Sequence, residues 1–533
     1  MKKLIYSIIA FSLLAVSCDD FIEKEQRGTQ TLENYFQTAQ ECEKYVNELT
    51  RRLLIPNDWW TLVAPRVTNE MATDDAWMGN TGQDSGAHRP ASQYLITPDN
   101  MGDMNSIYTA HFYTIQSANI GLEKMIASPI TEEQRNQYMG EALFVRAYCY
   151  YELVNSFGGV PVYTKSLGTN DLVLERNSAA EVYAQVEADL KESASRLENT
   201  PVARNGRINK WAAYALLARV SLFQEKWAEA KQYANKVITE GPFTLETDFL
   251  KIWDVNNHNG VESILEAQSS SVQDKSLGSA LPTLAGARGE DKKNFPSNDA
   301  GDVLDGWGWC MPTSDLENAY LSENDEIRRR STITKWGDAA YGDETLNPTH
   351  KFSLNDNKSG RICRKYYIPI ATRRALDKKD GHLPLNIPLI RLAEMYLTRA
   401  EANYHLGGDA LADINIIRNR VKLDPKVGLA GPNLLRHIYK ERRLELAFEG
   451  LRLFDIRREK DPSTGRPVIE SLMGPNGTFV QYNLNSTDPY ETTNLREPQD
   501  KGINFNPAKN LVWPIPQLEI DLSGGLIKQN PNY

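Results

Sequence analysis

Apolar residues recur at three- and four-residue intervals along much of this chain, the spacing of a helix with one buried face. Leu32, Phe36, Cys42, Val46, Leu49 and Leu53 follow it and predict a helix over 31–54. The same pattern predicts helices at 105–127, 131–156, 178–197, 208–225, 227–239 and 436–459, with a helical hairpin at 392–420. Between the first two, residues 56–105 are rich in Pro, Gly, Asn and Asp and are expected to be loop, with Trp59, Trp60 and Trp77 on it. Across 240–385 the helical period fades into Gly, Ser, Asp and Pro, which predicts loops and short strands inserted between helices. Loops held on a rigid scaffold are where binding residues concentrate. The tail after 460 is expected to be mostly loop.

Two stretches alternate small and large residues in a way that lets helices pack closely across a short turn. The first, 211–238, carries Ala215, Ala218, Ala230 and Ala234 against Trp211, Leu217, Phe223, Trp227 and Val237. In the second, 392–420, Ala400, Ala402 and Ala410 take the small places and Gly407–Gly408 makes the turn. Both resemble tetratricopeptide helix pairs, without a strict 34-residue period.

The N-terminus has its own pattern. Lys2 and Lys3 precede an apolar run from Leu4 to Ala15, too short for a comfortable membrane span, and Ala15 and Ser17 lead into Cys18. The arrangement resembles a bacterial lipoprotein signal, in which the cysteine is acylated and becomes the mature N-terminus. Leu14 stands one place further from Cys18 than the usual leucine. Asp19 and Asp20 follow directly and resemble the surface-export signal of Bacteroidetes lipoproteins. The expectation is a signal peptide over 1–17 and a protein anchored through Cys18, facing outward.

Composition adds exclusions. The 533 residues are 41% hydrophobic and 24% charged, ample for a large core. A net charge of -10 disfavours nucleic acid, which requires a basic footprint. Of five cysteines, Cys42, Cys149, Cys310 and Cys363 are widely spaced with no CxxC pair, so zinc ribbons and redox motifs lack support. A disulfide among the four stays open outside the cytoplasm.

The sequence offers little catalytic chemistry. Its seven histidines include no pair at the i, i+4 spacing of a helical metal site. Nucleophile-elbow, P-loop and dinucleotide-binding glycine motifs are missing. Thr73–Asp74–Asp75 is the best local acidic candidate; a turn, a helix cap or ligand hydrogen bonding is favoured over catalysis there. The segment ERRLELAFEGLRLFDIRR, 441–458, interleaves charges with an apolar stripe of Leu444, Ala447, Phe448, Leu451 and Phe454. It is expected to supply structural salt bridges, with Glu449 and Arg452 paired at i, i+3 on one helix.

Five stretches in order carry a wider resemblance. They are RAYCYYELVNSFGGVPVY from Arg146, GWGWCMPTSDLENAY from Gly306 with Asp325 and Arg328 after it, RLAEMYLTRAEANYHLG from Arg391, the 441–458 segment, and LVWPIPQLEI with the terminal QNPNY. Together they resemble the SusD/RagB family of surface nutrient-binding lipoproteins across nearly the whole chain. The resemblance implies a mostly α fold: a tetratricopeptide-like helical repeat scaffold with an irregular, loop-rich ligand-binding lobe. It implies an N-terminal helical region over 18–240, the lobe over 241–385 and a C-terminal helical region and tail over 386–533. It further implies capture of oligosaccharides, or of peptides as in the RagB branch, for a SusC-like TonB-dependent transporter of the outer membrane. No catalytic activity and no cofactor are implied. A surface glycosidase and a purely structural surface protein are the competing classes.

A carbohydrate site needs exposed aromatic faces for sugar C–H groups and polar side chains for hydroxyls. Among the ten tryptophans, Trp211 and Trp227 lie in repeat helices and are expected in the core, while Trp253 and Trp513 are ambiguous. Trp77 is the first ligand candidate, flanked by Asp74, Asp75 and Asn80 and followed by Arg89. Trp336 and Trp309 come next, Trp307 and Trp309 alternating with glycine so that one ring turns in and one out. The expected ligand contacts are therefore Trp77, Trp309 and Trp336 with Asp75, Asn80 and Arg89.

Overall fold

The computed structural model describes residues 31–32, 34–53, 60–78, 89–168, 174–202, 205–270, 278–286, 306–335, 359–368, 372, 383–488 and 501–533. Its first helices begin where the sequence supplies capping boxes. Thr38 with Glu41 opens α1 (Ala39–Arg51), Thr131 with Gln134 opens α4 (Glu132–Phe157), and Ser178 with Glu181 opens α5 (Ala179–Arg196). In each, the hydroxyl accepts the N3 amide while the N3 side chain returns to the cap amide. The expected start of the first helix at 31 is corrected by this cap: Leu32 is exposed, and Phe36 takes φ +66° in the turn before Thr38.

Between them lie α2 (Trp60–Met71), the short strand β1 (Ala76–Trp77) and α3 (Asp103–Ala127). Helix α2 corrects the reading of 56–105 as loop. Composition averaged over that stretch hid a segment whose Val67 and Met71 are buried in the core.

The scaffold continues with α6 (Lys210–Phe223) and α7 (Trp227–Glu240), then, after the irregular segment, α10 (Leu392–Leu406) and α11 (Ala410–Arg420). Gly407 ends α10 in the left-handed region, φ +72° and ψ 22°, which favours glycine over residues with a Cβ. Ala230 of α7 and Ala402 of α10 are both fully buried in one cluster with Leu222, edged by Phe223 and Trp227. The small residues thus bring two sequence-distant helical hairpins into contact. Trp211 is buried as expected; Trp227 lies at the edge of its cluster and stacks on His405, with centroids 3.8 Å apart. Trp253 and Trp513 are both buried.

Paired strands tie the irregular segment to this scaffold. β2 (Ser263–Ala267) runs antiparallel to β6 (Ile387–Arg391), with Ser263 opposite Arg391 and Ala267 opposite Ile387. β3 (Met311–Pro312) pairs with β1, Trp77 opposite Met311. Helices α8 (Ser314–Leu321) and α9 (Glu326–Thr332) lead to β4 (Ile333–Lys335), which pairs with β5 (Arg361–Cys363). One hydrophobic core runs from Phe36 to Ile527 and takes residues from all three regions named above. Cys42, Cys149, Cys310 and Cys363 are buried free thiols, which answers the open question of a disulfide.

The 436–459 helix is broken in two, α12 (Gly431–Leu446) and α13 (Arg452–Arg458). Phe448 at φ +64° and Gly450 at φ +79° make the break. It redirects the charges. Glu449 pairs with Arg391 and Lys365, and Arg452 with Asp74, so the expected Glu449–Arg452 pair does not form.

Candidate functional site

The charged segment anchors a buried ion-pair array. Arg391, at the end of β6, reaches Glu262, Glu445 and Glu449 at 2.7, 2.5 and 2.8 Å. Arg328, fully buried on α9, meets Asp325, Glu441 and Glu445 at 2.5, 2.6 and 3.2 Å. Burial alone would raise the Glu445 carboxyl, but Arg420, Arg391 and Arg328 outweigh it and hold it well below the usual range. Glu449 is lowered against burial in the same way by Arg391 and Lys365. Such groups serve architecture: each carboxylate is fully committed, and desolvating an ion pair is tolerated only where its remaining hydrogen bonds are met. The expectation of structural salt bridges in 441–458 agrees with this placement.

The Thr73–Asp75 turn belongs to the same architecture. Its carboxylates face inward at 0% exposure. Arg452 grips Asp74 with Nε and Nη2 at 2.9 and 2.8 Å. Arg443 donates to Asp75 at 2.6 Å and to Asp315 at 2.6 Å. Thr313 adds a hydroxyl to the Asp74 carbonyl at 2.7 Å, and its amide donates to the Asp75 carbonyl at 2.9 Å. Burial works against ionisation at both aspartates. At Asp74 the two guanidiniums win and the carboxyl is held low. At Asp75 burial prevails over Arg443, with the charge of Asp74 adding to it, and the carboxyl is pushed up.

Trp77 and Trp309 are corrected from exposed to buried, at 2% and 5% exposure. Strand pairing with Met311 turns the Trp77 ring into the core, where it meets Phe479 at 6.3 Å and lies 5.8 Å from the Lys501 ammonium. Trp309 packs edge-on against Trp307, centroids 5.0 Å apart, and its amide donates to the Leu284 carbonyl at 2.8 Å. Trp307 is the half-buried member of the pair. Asp75, expected to read hydroxyls, is likewise corrected to an inward ion-pair partner. The sequence reading missed Phe479, Lys501 and Asp315, because nothing local in those segments signals a contact across the fold.

Arg89 opens a short helical turn, Arg89–Ser92, and is half-buried with its Nη2 lacking a hydrogen-bond partner. Asn80, Trp336 and Cys18 lie outside the described residues. Of the six expected ligand contacts, Arg89 and Asp75 each keep a polar atom without a hydrogen-bond partner, Arg89 half-buried and Asp75 fully buried. Among the described residues, no group of three or more His, Cys, Asp or Glu side chains could hold a metal ion. No described helix is long and apolar enough to cross a membrane.

Comparison with known proteins gives this geometry a context. A family model described as "SusD family" matches residues 262–533, and one described as "Starch-binding associating with outer membrane" matches 20–222. The chain is 25% identical to SusD-like protein P2 of Formosa agariphila over the full length of both. It is 26% identical to the starch-binding protein SusD of Bacteroides thetaiotaomicron, covering 77% of this chain and 80% of that one. A solved laminarin-binding SusD-like protein superposes with a TM-score of 0.72 at 24% identity, covering 93% of this chain and 99% of its own. Surface glycan-binding protein A of Bacteroides thetaiotaomicron, solved with laminarihexaose, gives 0.71 at 20% identity, with 93% and 99% covered.

Proposed function

The chain belongs to the SusD family, and on that premise we propose that it is a surface lipoprotein that captures nutrient oligosaccharides and passes them to a SusC-like TonB-dependent outer-membrane transporter. The observation that carries the reading is the family match over 262–533. The shared fold with a laminarin-binding protein makes a β-glucan the first ligand to try, and the starch-binding relative makes an α-glucan the second. Anchoring occurs through the acylated Cys18, with the molecule outside the cell, in keeping with the outer-membrane description of the family matched at 20–222.

The protein binds without catalysis. Its best-placed acidic pair, Asp74 and Asp75, is fully buried and held by Arg452 and Arg443, out of reach of a glycosidic bond. The ligand face is assigned to the irregular region over 241–385 together with the early loop. Asn80, Arg89 and Trp336 are its proposed contacts, with the half-buried Trp307 as a further ring. The buried Trp77, Asp75 and Trp309 side chains are left out of that set.

Titration calorimetry with laminarihexaose and maltoheptaose tests the reading. Saturable binding of one of them, with no shortening of the glycan on long incubation, is the expected result. Binding of neither, or release of shorter sugars, would overturn it. Trp336→Ala is expected to remove binding while leaving the melting temperature nearly unchanged. Mild-detergent extraction is expected to recover the protein with a barrel transporter; Cys18→Ala is expected to lose membrane fractionation.

A further inference from the structure

A cleft of about 320 Å³ opens between α3, the chain that follows α4, and the last residues of the protein. Its volume falls in the range of small-ligand sites. Tyr108, Phe112 and Ile115 come from α3, Tyr163 from the segment after α4, and Glu519 and Ile527 from the C-terminal end. Phe112 sits between two rings, 4.8 Å from Tyr108 and 6.0 Å from Tyr163. The lining is largely apolar, and its polar groups divide into committed and uncommitted. The Gln116 amide is spent on the backbone of Leu167, donating and accepting at 3.0 Å. The Tyr163 hydroxyl accepts the Leu174 amide at 3.3 Å.

Two groups remain. Tyr108 is 1% exposed, and its hydroxyl has no hydrogen-bond partner. Glu519 is half-buried and makes no hydrogen bond or ion pair through its carboxylate among the described residues. Both residues line the cleft, Tyr108 with its ring, since its hydroxyl oxygen is closed to solvent. A carboxylate only accepts hydrogen bonds. Aromatic faces attract cations through their quadrupole. The complementary group is therefore a cationic donor on an apolar stem. A sugar, which offers many hydroxyls, would find too few partners here.

We propose that this cleft binds an aliphatic ammonium group, its head at Glu519 and its stem along Phe112, Tyr163, Ile115 and Ile527. The net charge of -10 favours the approach of such a cation. The site is independent of glycan capture: the two stand or fall separately.

Full-length protein in amphipol, titrated at neutral pH and followed by NMR or calorimetry, decides the matter with pentylammonium as probe and pentanol as its uncharged control. Pentylammonium is expected to saturate one site, with pentanol at least about tenfold weaker, the worth of a hydrogen-bonded charge. Glu519→Gln is expected to remove that difference, and Tyr108→Phe, which deletes a hydroxyl closed to the cleft, to leave it in place. Nα-acetyl-lysine N-methylamide distinguishes the sources of the group: binding as tight as the free amine indicates a lysine side chain of another protein, and weaker binding a small amine. Equal binding of pentanol and pentylammonium, no binding of any amine, or amine affinity unaltered by Glu519→Gln would overturn the proposal.

Discussion

Arg443 places its Nε 2.6 Å from a carboxylate oxygen of Asp75, across 368 residues of sequence. With Arg452 on Asp74 and Arg443 also on Asp315, the contact binds the N-terminal turn, the start of α8 and the two halves of the broken C-terminal helix into one unit. The charges that look most like an active site in the sequence are thus the clasp between distant parts of the fold.

Arg452→Met tests that clasp. It leaves Asp74 charged and buried, with Arg443 at 3.1 Å as its remaining cation. The expected loss is about 3–5 kcal/mol of unfolding free energy, the cost of breaking a buried pair from one side. Adding Asp74→Asn should recover part of it. Chemical denaturation of the three variants measures both steps.

Trp77 gives a sharp contrast between a ligand platform and a core residue. At 2% exposure and packed against Phe479, it belongs to the core. Trp77→Ala is expected to cost about 3–5 kcal/mol and to lower the melting temperature visibly. A melting temperature equal to that of the parent would contradict this placement.

Close approach of α7 and α10 depends on small side chains. Ala402→Trp should overpack the cluster shared with Ala230 and Leu222, costing about 1–3 kcal/mol, and Ala402→Gly, which adds no volume, should cost less than the tryptophan. Denaturation midpoints at constant slope read the difference.

Glu459 titrates against the fold. It is 1% exposed, neither carboxyl oxygen has a hydrogen-bond partner, and burial, reinforced by the charge of Asp455, raises it from 4.5 to about 8. The folded protein therefore holds this proton more tightly than the unfolded chain does. Its contribution favours folding below about 4.5 and is lost as pH rises toward about 8. Glu459→Gln is expected to remove that decline, so the variant should gain on the parent in urea as pH is raised from 5 to 8. Parallel pH profiles of the two proteins would count against it.

The sequence by itself determined the helices whose ends and faces are local. Thr131 with Gln134 and Ser178 with Glu181 mark helix starts because a cap is made within four residues, and Ala230 and Ala402 mark a close crossing because only a small side chain permits one. The order of its motifs also carried the family. What lay beyond the sequence was every feature fixed by a partner far along the chain. Helix α2 exists in a loop-like composition because Val67 and Met71 find the core. The helix predicted over 436–459 breaks at Phe448 and Gly450, and its charges turn to Arg391 and Asp74 instead of to each other. Trp77 turns inward because β1 pairs with β3, 234 positions away by the register of Trp77 opposite Met311. Periodicity and capping act over one or two turns, so they are written in the sequence; burial and charge pairing depend on which distant segment arrives, and only the folded chain decides that.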